Sequence, residues 1–152
     1  MHESTRTFLD QVHSAAMVTL RADGTPHVAR VGVALVDEKI WSSGTPTRVR
    51  TRHLRRDPRS TLFLFEGEWR WLGLECTVNI LDGPDAPELN LRLFQVIQRD
   101  MAPASSPGKL IWMGQEKTSE EFLQTMVQEQ RLIYEFNIVR AYGMYGGLPV
   151  RG

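Results

Sequence analysis

Between Arg48 and Arg59 the chain places Arg48, Arg50, Arg52, Arg55, Arg56 and Arg59, with Asp57 as the only acid among them. Guanidinium groups gathered this densely recognise anions, phosphate above all, because their planar fork of donors matches a pair of phosphate oxygens. A run of arginines is also the ordinary composition of a solvated helix face. Two features argue for an anion instead. Arg48, Arg52, Arg55 and Arg59 recur at helical spacing, and the charge is not balanced locally. The run holds six of the chain's 18 basic residues and one of its 18 acidic ones, so the remainder is net acidic.

The residues on either side suggest how such a run is positioned. Ile40-Trp41 is a short apolar segment that meets the small residues Ser42-Ser43-Gly44, which are expected to turn. Thr45 is a good helix N-cap, and Pro46 suits the first helical position, where its missing N–H costs nothing. The helix must stop near Asp57, since Pro58 disfavours helix in the residue before it. Ser60 to Phe65 then has the composition of a buried strand. Strand, small-residue turn, arginine helix, strand is an order that points free N–H groups and guanidinium groups at one place.

Taken from its start, the chain is expected to open with a helix from Ser4 to Ala16, with Phe8, Leu9, Val12 and Ala16 on one face. Met17 to Leu20 is a strand. Asp23-Gly24 makes a hairpin turn into a second strand from His27 to Val36, and Asp37-Glu38-Lys39 makes the next turn. After Glu66-Gly67-Glu68, a long strand from Trp69 to Asp82 alternates. Arg70, Leu72, Leu74, Cys76, Val78 and Ile80 form its apolar side, and Trp69, Trp71, Gly73, Glu75, Thr77 and Asn79 the other. Glu88 to Met101 is an amphipathic helix with Leu89, Leu93, Phe94 and Ile97 inward, and Ala102 to Gly108 a loop. A last helix starts at Ser119 and ends near Arg131, before a strand from Leu132 to Tyr142. About six strands and three to four helices, joined by hairpins, favour a small barrel or strongly curved sheet of the α+β class. No repeat or second domain is visible, so residues 1–152 are expected to form a single domain.

Composition excludes several function classes. Formal net charge is zero, which argues against a general nucleic-acid or anionic-membrane binder. Cys76 is the only cysteine, so no internal disulfide can form, which fits a reducing cytoplasm. The N-terminal segment lacks the layout of a signal peptide, and no apolar run approaches membrane-spanning length. A cytoplasmic protein is expected. Neither a GxGxxG fingerprint nor a phosphate-binding Walker loop occurs. His27 and His53 are isolated in sequence, and no His/Cys/Asp spacing resembles a metal site. Cys76 falls on the apolar side of its strand and is expected to be a buried structural thiol. For Trp69 and Trp71 two roles stand open, walling off a flat cofactor ring or packing at a dimer interface, and packing is favoured. Tyr142 and Tyr145 could donate a proton, though packing is again favoured. No catalytic constellation is evident.

Three segments in order resemble the pyridoxamine 5′-phosphate oxidase-like superfamily. Met17 to Val28 is similar to its opening hairpin. Ile40 to Gly44 with Arg50 to Arg59 is similar to its cofactor-phosphate segment, and Tyr134 to Met144 to its closing strand. The resemblance is greatest to the actinobacterial branch that uses the deazaflavin coenzyme F420 rather than FMN. It implies a split β-barrel and a homodimer with cofactor sites at the subunit interface. It also implies hydride transfer from the reduced deazaflavin to a small organic substrate, with no membrane or nucleic-acid partner. An FMN-dependent oxidase or flavin reductase of the same fold, or a protein that binds a cofactor without catalysis, is the alternative. Carried over by position, Ser42, Ser43 and Gly44 line the cofactor tail, and Arg48, Arg50 and Arg52 hold its phosphate. The family often has lysine where this chain has Arg50; arginine keeps the charge and adds a second donor in plane.

Overall fold

The computed structural model of the chain describes residues 1–99, 101, 106–145 and 149–150. Helix α1 (Glu3–Gln11) leads into β1 (Ser14–Leu20), β2 (Pro26–Gly32), β3 (Ala34–Val36) and β4 (Lys39–Gly44). Helix α2 (Val49–Arg56), β5 (Arg59–Glu66) and β6 (Arg70–Leu81) follow. An excursion of α3 (Ala86–Gln98), β7 (Lys109–Trp112), β8 (Gln115–Thr118) and α4 (Ser119–Gln128) precedes β9 (Leu132–Met144), on which β10 (Pro149–Val150) pairs. The main sheet runs β2-β1-β5-β6-β9-β4-β3, with every neighbouring pair antiparallel.

Curling is forced by how the chain passes from one edge of this sheet to the other. The expected single strand from His27 to Val36 is two strands, broken at Val33. Its N–H donates to the His13 carbonyl (3.0 Å), and His13 Nδ1 donates back to the Val33 carbonyl (3.0 Å). The chain therefore leaves the β2 edge and enters β3 at the opposite edge within one residue. Both edges must lie close together, and the sheet becomes an open barrel. The same His13–Val33 clasp ends α1 early: the helix stops at Gln11, not Ala16, because Ser14 to Leu20 pair residue by residue with Gly32 to Pro26.

The barrel interior is filled by Phe8 and Leu9 of α1 with Met17, Leu62, Leu64, Leu72, Leu74, Leu132 and Tyr134, each at most 1% exposed. Burying a leucine of this kind is worth roughly 1.5–3 kcal/mol, so this cluster dominates the stability of the sheet. Strand β6 alternates as expected, with Leu72, Leu74, Cys76 and Val78 buried. Cys76 is enclosed, and burial pushes its thiol up to about 12, as befits a structural cysteine. A bulge between Glu75 and Cys76 leaves Val139 of β9 without a partner in register. Strand β5 is not buried throughout: Ser60, Leu62 and Leu64 point inward, while Phe63 and Phe65 face out.

Outside the barrel, α3 packs Leu93 against Ala34, Val36, Trp41 and Ile133. Helix α4 closes a smaller cluster of Leu110, Trp112, Phe122 and Met126. It begins with a capping box, in which Glu121 N donates to Thr118 Oγ1 (3.1 Å) and Thr118 N to Glu121 Oε1 (2.9 Å), and it ends at Gln128, short of Arg131. The β7–β8 hairpin was not legible in the sequence. Its turn uses Met113 and Gly114, both with positive φ (50° and 78°), and methionine is no signal for such a turn. Of the expected loop over 102–108, residues 102–105 lie outside the described residues. No described helix is long and apolar enough to cross a membrane.

Candidate anion and cofactor site

The arginine helix begins later than Thr45-Pro46 suggests. Ser42, Ser43 and Gly44 are not a turn; they are the end of β4, paired with Tyr134, Ile133 and Leu132 of β9. Sheet pairing prevails over the turn preference of small residues because each of the three has a partner on β9. The turn falls on the next residues, where Arg48 N donates to the Thr45 carbonyl (3.2 Å), and α2 starts at Val49 with no side-chain cap. Thr45 thus serves the turn through its carbonyl, which also accepts from Thr51 Oγ1 (2.7 Å). The helix ends at Arg56, as Pro58 requires.

The structure divides the six arginines into two sets. Arg55 pairs with Asp82 (3.0 Å), Arg59 with Asp57 (2.8 Å), and Arg56 donates to the Leu20 carbonyl. These three are spent on holding α2 and β5 in place. The side chains of Arg48, Arg50 and Arg52 have no carboxylate partner among the described residues. Arg48 and Arg52 are exposed and Arg50 is half-buried, with its Nε enclosed and without a hydrogen-bond partner. Burial lowers the Arg50 pKa and the positive charges of Arg48 and Arg131 add to that, while the Tyr134 phenol acts the other way. A desolvated guanidinium with an open donor, in a field that is itself positive, favours an incoming anion.

Arg131, next to Leu132 of β9, escaped the sequence reading because it lies far along the chain from the cluster. It is buried, paired with Glu129 (2.9 Å), and its guanidinium carbon lies 5.0 Å from the centre of the Trp112 ring. Arg52, two residues along α2 from Arg50, leaves the helix on a different side, where its charge acts on His53.

Ser42 and Ser43 are buried and their hydroxyls are committed inward. Ser42 Oγ donates to the Gly32 carbonyl (2.7 Å) and so stitches β4 to the end of β2 across the open seam of the barrel. Ser43 Oγ donates to Asn90 Oδ1 (2.5 Å), while Asn90 Nδ2 donates to the carbonyls of Ala86 (2.9 Å) and Leu132 (3.4 Å). Gly44 is enclosed by Tyr134, whose hydroxyl would lie 2.2 Å from a Cβ added there. Whatever these three offer a ligand, they offer through their backbone.

Beneath α2, His53 shares a hydrogen bond with Thr19 Oγ1 (2.9 Å), and its ring meets that of His27 edge to face at 5.3 Å. Burial holds His53 below the ordinary imidazole value of 6.5, and the nearby charges of His27, Arg56, Arg21 and Arg52 act in the same direction. The unfolded chain therefore takes up this proton first as pH falls. The contribution of His53 to stability is complete above pH 6.5 and is lost as the pH drops from there towards the folded-state value. Melting temperatures recorded between about pH 7.5 and 5 should decline in the wild type and decline less in His53→Gln. Parallel curves would remove His53 as the source.

A cavity of about 740 Å³ lies elsewhere, between the start of α1 and β9, lined by Thr5, Lys39, Glu135, Asn137 and Tyr145 among others. It contains none of the six expected site residues, and its one lysine is paired with Glu135. No group of three side chains able to hold a metal occurs among the described residues.

A curled antiparallel sheet with helices at its margins and an arginine cluster at the β4–α2 junction defines a split β-barrel protein of the α+β class. The family model described as pyridoxamine 5′-phosphate oxidase matches residues 1–113, and the chain belongs to that family. Its fold is similar to that of the conserved hypothetical protein Rv2991 of Mycobacterium tuberculosis (TM-score 0.73, 20% identity, 100% of this chain and 91% of that one). It is also similar to a protein described as an F420 reductase (TM-score 0.65, 18% identity, 93% of this chain and 98% of that one). A heme-binding protein of Mycobacterium smegmatis shares the fold at 12% identity (TM-score 0.64, 95% of this chain and 53% of that one). At these identities the likeness is one of fold.

Proposed function

We propose that the chain is an oxidoreductase that binds a deazaflavin of the F420 type and reduces a small organic substrate. The observation that carries this reading is that Arg48, Arg50 and Arg52 have no carboxylate partner among the described residues, and that the Arg50 Nε is buried without a hydrogen-bond partner there, in the segment that resembles the family's cofactor-phosphate segment. Those groups fit a phosphate: all three are cationic without a carboxylate partner among the described residues, and Arg50 is partly desolvated. What supports the deazaflavin over FMN is the resemblance of the three sequence segments to the deazaflavin branch, together with the F420 reductase among the similar folds. When bound, a reduced deazaflavin supplies the hydride. The protein's part is to hold the phosphate through the arginines, to offer the backbone of Ser42, Ser43 and Gly44 to the cofactor tail, and to keep water away.

A second copy of the chain completes the site on this reading. Phe65 is 62% exposed, and with Phe63 and Trp71 it forms one aromatic surface: Phe63 lies 5.6 Å from Phe65 and 5.8 Å from Trp71, centre to centre. Aromatic groups exposed in this number on a single face are what a protein interface covers. Phe63→Glu with Phe65→Glu should convert a dimer to a monomer in sedimentation equilibrium and weaken cofactor binding with it. A wild-type protein that sediments as a monomer would sink the interface.

The decisive experiment is titration of the purified protein with F420 and with FMN, following quenching of its four tryptophans. Tight binding of F420 alone supports the reductase. Preference for FMN shifts the activity to oxidase or flavin-reductase chemistry, and binding of neither removes the cofactor reading.

A further inference from the structure

Tyr134 touches the anion site at three points, each far from it in sequence. It is fully buried on β9, its ring fills the space left by the missing side chain of Gly44, and its hydroxyl is hydrogen-bonded to Thr51 Oγ1 in the first turn of α2. The guanidinium carbon of Arg50 lies 5.8 Å from the centre of the same ring, within the range of a cation–π contact. The direction of the hydroxyl bond follows from counting protons. Thr51 has one O–H, and it is given to the Thr45 carbonyl, which can only accept. The bond between Thr51 and Tyr134 must then be donated by the phenol. Tyr134 O–H, Thr51 O–H and the Thr45 carbonyl form a single directed chain that ties the core of the barrel to the turn and to the start of the helix.

We propose that Tyr134 is the positioning residue of the anion site, holding the first turn of α2, and with it Arg50, in the binding geometry before any anion arrives. The consequence for the ligand rests on the reading given under the proposed function, whereas the positioning itself is a property of the free protein. Arg50 has no carboxylate to orient it among the described residues, so the ring beneath it and the helix turn that carries it are the constraints on its long side chain. An arginine set in place beforehand binds without losing rotamer freedom at that moment, and a loose one does not. Gly44 belongs to the same device, since any Cβ there would collide with the phenol.

The test reads the free protein and the complex separately. Exchange of the Arg50 Nε–H with solvent, followed by NMR, should be slow in the wild type and at least several-fold faster in Tyr134→Phe. Thr51→Val removes the same bond, so it should have the same effect, and the double variant should be no worse than either single one. The dissociation constant for F420, or for FMN if that is the cofactor that binds, should rise by roughly three- to tenfold in step, the scale of one hydrogen bond. Arg48→Ala should raise that constant while leaving the Arg50 resonance unchanged. An Arg50 exchange rate that is the same in Tyr134→Phe and wild type overturns the proposal, whether or not a ligand binds. If Arg50 exchange depends on Tyr134 but F420, FMN and inorganic phosphate all fail to bind, positioning stands and the cofactor reading falls.

Discussion

Arg50→Ala should weaken cofactor binding by about ten- to a hundredfold, because one charge-assisted hydrogen bond is worth roughly 1.5–3 kcal/mol and each 1.4 kcal/mol is a factor of ten. The effect is expected to be large at this position for a physical reason. Arg50 is the member of the unpaired set that has already given up much of its water, so an anion meets it without a full desolvation cost. Arg48 is exposed, and its loss should cost less. The informative control is Arg55→Ala, which removes the same charge from the same helix. Arg55 is committed to Asp82, and its replacement should leave affinity within about twofold. Arg50→Lys should fall between, since an ammonium keeps the charge and loses the planar fork. Isothermal titration of the four variants with the cofactor decides the matter. Equal losses for Arg50 and Arg55 would mean that general charge, not a site, governs binding.

The second large effect concerns stability. Gly44→Ala places a Cβ 2.2 Å from the Tyr134 hydroxyl and 2.4 Å from the adjoining ring carbon, in a ring that is fully buried and cannot swing aside. Overpacking of this kind costs about 1–3 kcal/mol, which for a chain of this length lowers the melting temperature by roughly 3–10 °C. Gly73→Ala is the matched comparison. It meets the Tyr142 ring at 2.6 Å, but Tyr142 is only half-buried and can rotate outward, so its cost should stay below about 1 kcal/mol. Neither glycine has a positive φ, so the contrast isolates packing from backbone conformation. Scanning calorimetry that finds the two variants equal would show that Tyr134 is freer than its enclosure implies.

How much of this was legible before the structure depends on the range of each interaction. The alternation along β6 survives because it reports one local property, which side faces the core. The end of α2 was visible because proline acts on its immediate neighbour. The arginine cluster was visible as a concentration of charge, yet its division into committed and uncommitted halves was not, since Asp82 and the Leu20 carbonyl come from distant parts of the chain. Ser42-Ser43-Gly44 looked like a turn because small polar residues prefer turns locally; pairing with β9 prevails over that preference. The break at Val33 was hidden, since apolar alternation continues through it while the backbone changes partner. Tyr134 gave no signal as a site residue. Nothing in a buried tyrosine near the end of a chain announces that its hydroxyl ends against a helix that begins far upstream.

The buried thiol on β6 has a practical consequence. With one cysteine in the whole chain, enclosed in the barrel and held protonated, alkylation can proceed only through molecules that have opened the sheet. The chain thus carries a built-in clock for its own unfolding. The rate at which a small thiol reagent consumes Cys76 reports how often the barrel parts at its centre, without any label added to the protein.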